Sequence, residues 1–222
     1  MKTRLEIQAD MPMSGNEGRY NLYKIKRIGY VDIEATNLKA PVGHVLTIVN
    51  HVREVFPRDR IVETRKYIIT KKEIDDSVRR RTFDPDKRII TEFFKDIDDI
   101  DLLVGHWFHG MKRFDMPFLR GRSALMGLLN LVPPYGKVRY GDTWRVGKAT
   151  VSSLGWGLDA LGHIVGAPVE KTKLSGFDWW LASHGDKKAI DYVLKHNIID
   201  CILTHKVHKS LERFNSIPGG LV

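Results

Sequence analysis

Short apolar stretches, bounded by turn-forming residues, recur along the first two thirds of the chain. This pattern is typical of β-strands. It predicts three consecutive strands that form a meander, at residues 23–34, 45–55 and 61–70, and two further strands at residues 102–108 and 137–144. Because helical patterns separate the later strands, we expect those strands to pair in parallel.

Apolar residues at helical spacing predict the helices between and after these strands. Asp84 and Pro85 suit the N-cap and the first position of a helix, and apolar residues follow at helical spacing from Ile89 to Ile97. Further helices are expected at residues 114–129, 153–166 and 187–214. The predicted fold is therefore α/β, with a mixed five-stranded sheet flanked by helices.

The boundaries of the predicted domain follow from where the periodic patterns start and stop. Residues 1–20 mix Met, Pro, Ser, Gly and Asn without periodicity, so we interpret them as a flexible N-terminal arm or lid. Residues 21–215 are predicted to form one domain, and residues 216–222 a C-terminal tail.

Acidic residues in apolar settings are the first chemical signal in this chain. Asp32 and Glu34 lie two positions apart on the first predicted strand, so they share one face of it. Burying two like charges side by side is costly unless a cation compensates them. Asp115 and Asp200 lie in equally apolar segments. Carboxylate oxygens suit hard cations, so the pattern predicts a Mg²⁺ or Mn²⁺ site.

The composition of the chain indicates which class of molecule the protein binds. The 222 residues include 36 Lys and Arg against 27 Asp and Glu, a formal net charge of +9. Such an excess favours a polyanionic partner, and nucleic acid is the first expectation, although a solvated basic surface is the alternative for any one cluster. Cys201 is the one cysteine, which indicates a reducing compartment. Since no apolar run approaches the roughly 20 residues of a membrane helix, we expect a cytoplasmic protein that does not span a membrane.

Three segments resemble motifs of one enzyme family in the same order. The segments are D-I-E-A-T-N-L at residues 32–38, F-H-G-M-K-R-F-D-M-P-F-L at residues 108–119 and H-N-I-I-D-C-I-L-T at residues 196–204. They resemble the three motifs of the proofreading-type (DEDD) 3′-to-5′ exonucleases, a ribonuclease H-like superfamily with four catalytic acids. The Asp-Thr step at residues 142–143 also matches relatives, and the resemblance spans residues 23–212.

The resemblance implies a two-metal hydrolytic site. It implies that Asp32 bridges two Mg²⁺ or Mn²⁺ ions, that Glu34 and Asp200 complete the tighter site, and that Asp115 holds the second ion through water. Relatives carry a tyrosine four residues before the last acid, or a histidine five before it, whereas this chain has His196 at four. His196 is therefore a candidate general base, and a core histidine bonded to backbone is the alternative.

Each acid also has a structural alternative, and other residues are candidates for substrate contact. Asp32 or Glu34 could merely end a strand, Asp115 could be only an N-cap, and Asp200 could pair with a lysine. The tryptophans could stack on unpaired bases, but core packing is the favoured interpretation for each. The residues expected to contact nucleic acid are Leu38, Phe108, His109, Lys112 and Arg113.

The predicted function is removal of nucleotides from the 3′ end of DNA or RNA, with a single-stranded end as the expected substrate. The alternatives are an endonuclease or structure-specific nuclease with the same metals, and a catalytically silent module that binds nucleic acid or a polymerase. A proofreading role would require a separate polymerase or another replication protein as partner.

Overall fold

The computed structural model describes residues 25–110, 113–167 and 172–214. The predicted arm at residues 1–20 and the tail at residues 216–222 lie outside these ranges.

Five strands form one mixed sheet in the order β3-β2-β1-β4-β5. Strand β2 pairs antiparallel with both β3 and β1, whereas β4 pairs parallel with both β1 and β5. The predicted α/β class, the mixed five-stranded sheet and the opening meander are confirmed. The strands are β1 (Arg27–Ala35), β2 (Val45–Glu54), β3 (Arg60–Ile68), β4 (Leu102–Gly105) and β5 (Arg139–Asp142).

Seven α-helices accompany the sheet within the described ranges. They are α1 (Lys71–Arg80), α2 (Lys87–Asp96), α3 (Asp115–Leu125), α4 (Thr143–Thr150), α5 (Leu158–Ile164), α6 (Gly176–Ser183) and α7 (Lys187–Leu211). Two 3₁₀ turns follow α3 and α7, at Leu129–Leu131 and Glu212–Phe214.

Helix α1 was absent from the sequence prediction, which extended a strand to residue 70 instead. The Thr70 side chain accepts a hydrogen bond from the backbone N–H of Glu73, and the Glu73 carboxylate accepts one from the backbone N–H of Thr70. This capping box ends β3 and starts the helix. The T-x-x-E spacing was the signal in the sequence that could have identified it.

Helix α2 begins at Lys87, later than the Asp84-Pro85 pattern predicted. Asp86 precedes the helix without capping it. Its fully buried carboxylate accepts hydrogen bonds from Arg122 at 2.6 and 2.9 Å and from the backbone N–H of Val45 at 2.9 Å. This contact ties the start of α2 to α3 and β2.

The two faces of β1 have different neighbours, as the alternating pattern predicted. Val31 and Ile33 pack into the main apolar cluster with Ile90 and Phe93 of α2. The long helix α7 lies against β1 and β2 on the opposite face. That face carries Asp32 and Glu34, so α7 covers the acids of the first motif. Among the described residues, no helix combines the length and the apolarity that crossing a membrane requires.

Candidate functional site

Glu34 and two residues of α7 meet at the end of β1. The Nε2 atom of His196 lies 3.8 Å from Oε1 of Glu34 and 3.9 Å from Oδ2 of Asp200. Residues 196 and 200 are one helical turn apart, so they share the face of α7 that packs on the sheet. All three side chains are largely but not fully buried. The structure thus joins the first and third motifs through Glu34 and His196, which are 162 positions apart in the sequence.

Asp115 joins this group from helix α3. Its side chain is 4% exposed, and its Oδ1 atom accepts a hydrogen bond from the backbone N–H of Ile33 at 3.1 Å. Residue 33 stands between Asp32 and Glu34, so the bond fixes Asp115 beside both acids. Asp115 lies inside the first turn of α3, where Phe114 is the N-cap residue and makes no side-chain capping bond. The alternative that Asp115 serves only as an N-cap is therefore excluded.

Burial gives Asp115 an unusual protonation state. Loss of hydration raises the pKa of its carboxyl group to about 8, hydrogen bonds from backbone N–H groups oppose this, and the charges of Asp142 and Asp200 add to it. Near neutral pH, and without a cation beside it, Asp115 therefore holds a proton. A divalent ion would replace that proton and stabilise the ionised form.

His196 is held by a hydrogen bond on the side of the ring away from the acids. Its Nδ1 atom lies 2.8 Å from Oγ1 of Thr172, in the segment that precedes α6. This bond orients the ring so that Nε2 faces Glu34 and Asp200. The sequence alternative was a core histidine bonded to backbone, whereas the observed partner is a side-chain hydroxyl.

A pocket of about 390 Å³ opens beside Asp32 and Asp200. Its volume falls within the range of roughly 300 to 1,000 Å³ that is usual for small-ligand sites. The other lining residues are His106, Trp107, Trp144, Gly157 and Leu158. Sequence reasoning left His106 unassigned and favoured core packing for the two tryptophans. Their position just after β4 and β5 was the missed signal, because ligands in open α/β sheets bind beyond the carboxyl ends of parallel strands.

Asp142 organises the rim of this pocket without lining it. Its buried carboxylate accepts hydrogen bonds from the backbone N–H groups of Trp107 at 3.2 Å, Phe108 at 3.1 Å and Trp144 at 2.9 Å. It also lies 3.6 Å from Nε of Arg113. The Asp-Thr step noted in the sequence thus joins the start of α4 to the loop after β4.

The predicted nucleic-acid contacts are placed very differently from one another. Leu38 is 82% exposed just beyond β1, where it is accessible to a ligand. Phe108 is fully buried in the main core, and a Cβ atom on Gly105 would lie only 2.5 Å from its side chain. Phe108 therefore has no surface with which to touch a strand, and it serves to pack the loop after β4.

The basic part of the second motif is only partly described. Lys112 lies outside the described residues. His109 is half-buried and stacks on Tyr140 with 4.7 Å between ring centroids, so it packs at the strand end. The guanidinium of Arg113 lies 4.0 Å from the ring centroid of Trp144, in the aromatic wall of the pocket.

The four predicted metal ligands are all carboxylates, and Mg²⁺ or Mn²⁺ is the predicted ion. Across the described ranges, no three histidine, cysteine or acidic side chains form a group that could hold a metal ion. Mg²⁺ usually keeps several waters and binds through one or two carboxylates together with substrate phosphates. The acids near the end of β1 supply oxygen donors only, which is the ligand type that Mg²⁺ and Mn²⁺ prefer.

No protein-family model matches this chain, and neither does any curated protein.

Proposed function

We propose that this protein is a metal-dependent 3′-to-5′ exonuclease that hydrolyses phosphodiester bonds of DNA or RNA. The proposal is supported by three contacts: Glu34 and Asp200 lie 3.8 and 3.9 Å from His196, Asp115 is bonded to the backbone of Ile33 between Asp32 and Glu34, and Asp32 and Asp200 line one pocket. The four acids come from β1, α3 and α7, and a pocket of ligand size opens beside two of them. The strand order is compatible with a ribonuclease H-like fold, in which we place the chain as part of the same proposal.

The four acids would hold Mg²⁺ or Mn²⁺. When bound, such ions lower the pKa of a water molecule and neutralise charge on the phosphoryl group. Asp32 and Glu34 are fixed by β1, Asp200 by α7 and Asp115 by its bond to the backbone of Ile33. Rigid elements thus position each donor, as a catalytic site requires.

His196 would act as the general base. Its Nε2 atom faces Glu34 and Asp200 at 3.8 and 3.9 Å, close enough for a water molecule held by the acids to reach it. A histidine in this position can accept the proton of the attacking water, which is worth roughly 10²-fold or more in rate. Both carboxylates would stabilise the resulting imidazolium.

The test is cleavage of end-labelled strands of DNA and RNA in Mg²⁺ or Mn²⁺. We expect wild-type protein to shorten a strand from its 3′ end, and Asp32→Ala and Asp200→Asn to abolish cleavage. His196→Ala should slow the reaction by about 10²-fold. Asp191→Asn is the matched control, because Asp191 lies on the same helix but pairs with Lys187 at the surface.

Other outcomes would select another function. Internal fragments from wild-type protein would indicate an endonuclease with the same acids. Tight binding of strands without cleavage in either metal would indicate a silent nucleic-acid-binding module. Cleavage that survives Asp200→Asn would place the chemistry elsewhere and overturn the proposed site.

A further inference from the structure

Trp107 has a backbone conformation that large side chains rarely adopt. Its φ angle is +60°, in the left-handed region that favours glycine. Two hydrogen bonds fix this conformation: the N–H of Trp107 donates to Asp142 at 3.2 Å, and its carbonyl accepts from the N–H of Phe114 at 3.0 Å. The loop after β4 therefore imposes a strained conformation on a bulky residue.

Burial alone does not explain why tryptophan occupies this position. The side chain is 47% exposed, so burial offsets little of the unfavourable conformation. Its exposed surface contributes to the pocket beside Asp32 and Asp200. Strained residues of this kind cluster at functional sites, where the surrounding structure holds them in place. The conformation presents an indole to the pocket of the proposed nuclease.

Cations alternate with aromatic rings along this wall. The guanidinium of Arg113 lies 5.4 Å from the ring centroid of Trp107 and 4.0 Å from that of Trp144. The ammonium of Lys148 lies 4.8 Å from the Trp144 ring and 5.7 Å from the Trp156 ring. An aromatic surface combined with positive charge is how proteins bind single-stranded nucleic acid without reading its sequence.

We propose that Trp107 is a stacking platform for an unpaired base of the substrate strand. The inference rests on the proposed nuclease function and specifies its substrate: a strand whose 3′-terminal base is free of a pairing partner, with little preference for base identity. In a duplex end, the edge of the terminal base is paired and its inner face is stacked on the next pair, so only the outer face is open, whereas an unpaired base can turn either face to Trp107.

The test is a binding experiment that removes the indole of Trp107 from the protein and, separately, the 3′-terminal base from the strand. Fluorescence anisotropy with labelled single strands, in the Asp200→Asn background with Mg²⁺, keeps the strands intact. One strand carries a normal 3′-terminal nucleotide, and the other carries an abasic one. Trp107→Gly is the variant of choice, because glycine adopts positive φ without strain.

We expect Trp107→Gly to weaken binding of the normal strand about tenfold, equal to about 1.4 kcal/mol, as for loss of one stacked base. Binding of the abasic strand should not change between the two proteins. Trp107→Tyr should recover most of the lost affinity. Trp180→Ala, which removes another half-exposed tryptophan on α6 away from the pocket, should leave both affinities unchanged.

A structural role predicts a different result. If Trp107 only supported the loop, Trp107→Gly would lower the thermal midpoint and weaken both strands equally. Either equal weakening or no weakening overturns the inference. If wild-type protein cleaves strands while Trp107→Gly binds the normal strand as tightly as its parent, the nuclease proposal survives and this inference alone fails. If no strand is cleaved but the base-dependent loss is seen, the stacking site stands without the nuclease.

Discussion

Asp115 offers a direct test of whether the site is built to receive a cation. Burial raises the pKa of its carboxyl group to about 8, against about 3.9 in an unfolded chain. The isosteric substitution Asp115→Asn keeps an oxygen that can accept the hydrogen bond from Ile33. It removes the titrating group, so any pH dependence that Asp115 contributes to stability should vanish with it.

The sign and size of this contribution follow from linkage. Between about pH 4 and pH 8 the folded protein keeps a proton that the unfolded chain releases, so the free energy of unfolding falls as pH rises. The slope from one such group is about 1.4 kcal/mol per pH unit, or about 2.7 kcal/mol between pH 5 and pH 7. The stabilising contribution is fully present below about pH 3.9 and is lost as pH rises through about 8.

The assay is urea unfolding of wild type and Asp115→Asn at several pH values from 5 to 7, with a chelator present. The difference in the free energy of unfolding between wild type and Asp115→Asn should change by about 2.7 kcal/mol over this range, because all other groups titrate alike in both proteins. Asp191→Asn, at an exposed carboxyl, should follow wild type. Adding Mg²⁺ or Mn²⁺ should reduce the wild-type slope, since the ion replaces the proton. Parallel profiles for wild type and Asp115→Asn would show that Asp115 is ionised when folded, and the argument for a cation there would fail.

Two further predictions concern stability. His208 is fully buried and burial lowers its pKa to about 3, so only the unfolded chain gains a proton as pH falls below about 6.5. Between pH 6.5 and pH 5 this should remove about 1.5 kcal/mol from the free energy of unfolding, and His208→Gln should flatten that part of a urea profile. Arg122→Ala should lower the free energy of unfolding by about 3 to 5 kcal/mol, because it leaves the buried carboxylate of Asp86 without its cation. Replacing both partners, with Arg122→Met and Asp86→Ala, should lower the free energy of unfolding by less than Arg122→Ala alone.

Each of these predictions has an outcome that contradicts it. An unchanged acid limb in His208→Gln would mean that His208 titrates normally in the folded protein. A double variant as unstable as Arg122→Ala would mean that packing around Arg122, and not the stranded charge of Asp86, sets the loss.

Local signals predicted much of the fold. The apolar runs of β1 and β2 and the helical stripe of α7 were visible in the sequence because each pattern is repeated within one element. The Asp-x-Glu spacing placed Asp32 and Glu34 on one face for the same reason. Helix α1 was missed although Thr70 and Glu73 carried its capping box, because an apolar run up to residue 70 favoured continuing the strand.

Contacts between distant segments could not be predicted in this way. The pairing of Asp86 with Arg122 depends on how α2 and α3 pack. Phe108 belongs to the motif that was expected to touch nucleic acid, yet packing against Gly105 places it in the core. The strained conformation of Trp107 is fixed by hydrogen bonds with Asp142 and with the backbone N–H of Phe114, which belong to other segments.

Which elements form, and which side of each carries acids, follows from residue types and spacing, because those depend on neighbours within one or two turns or strand positions. The meeting of Asp115 with β1, the protonation of its carboxyl group and the exposure of Trp107 depend on burial and on charges from segments far apart in the chain. Desolvation and long-range electrostatics arise when helices and sheet pack together, so these properties exist only in the folded protein.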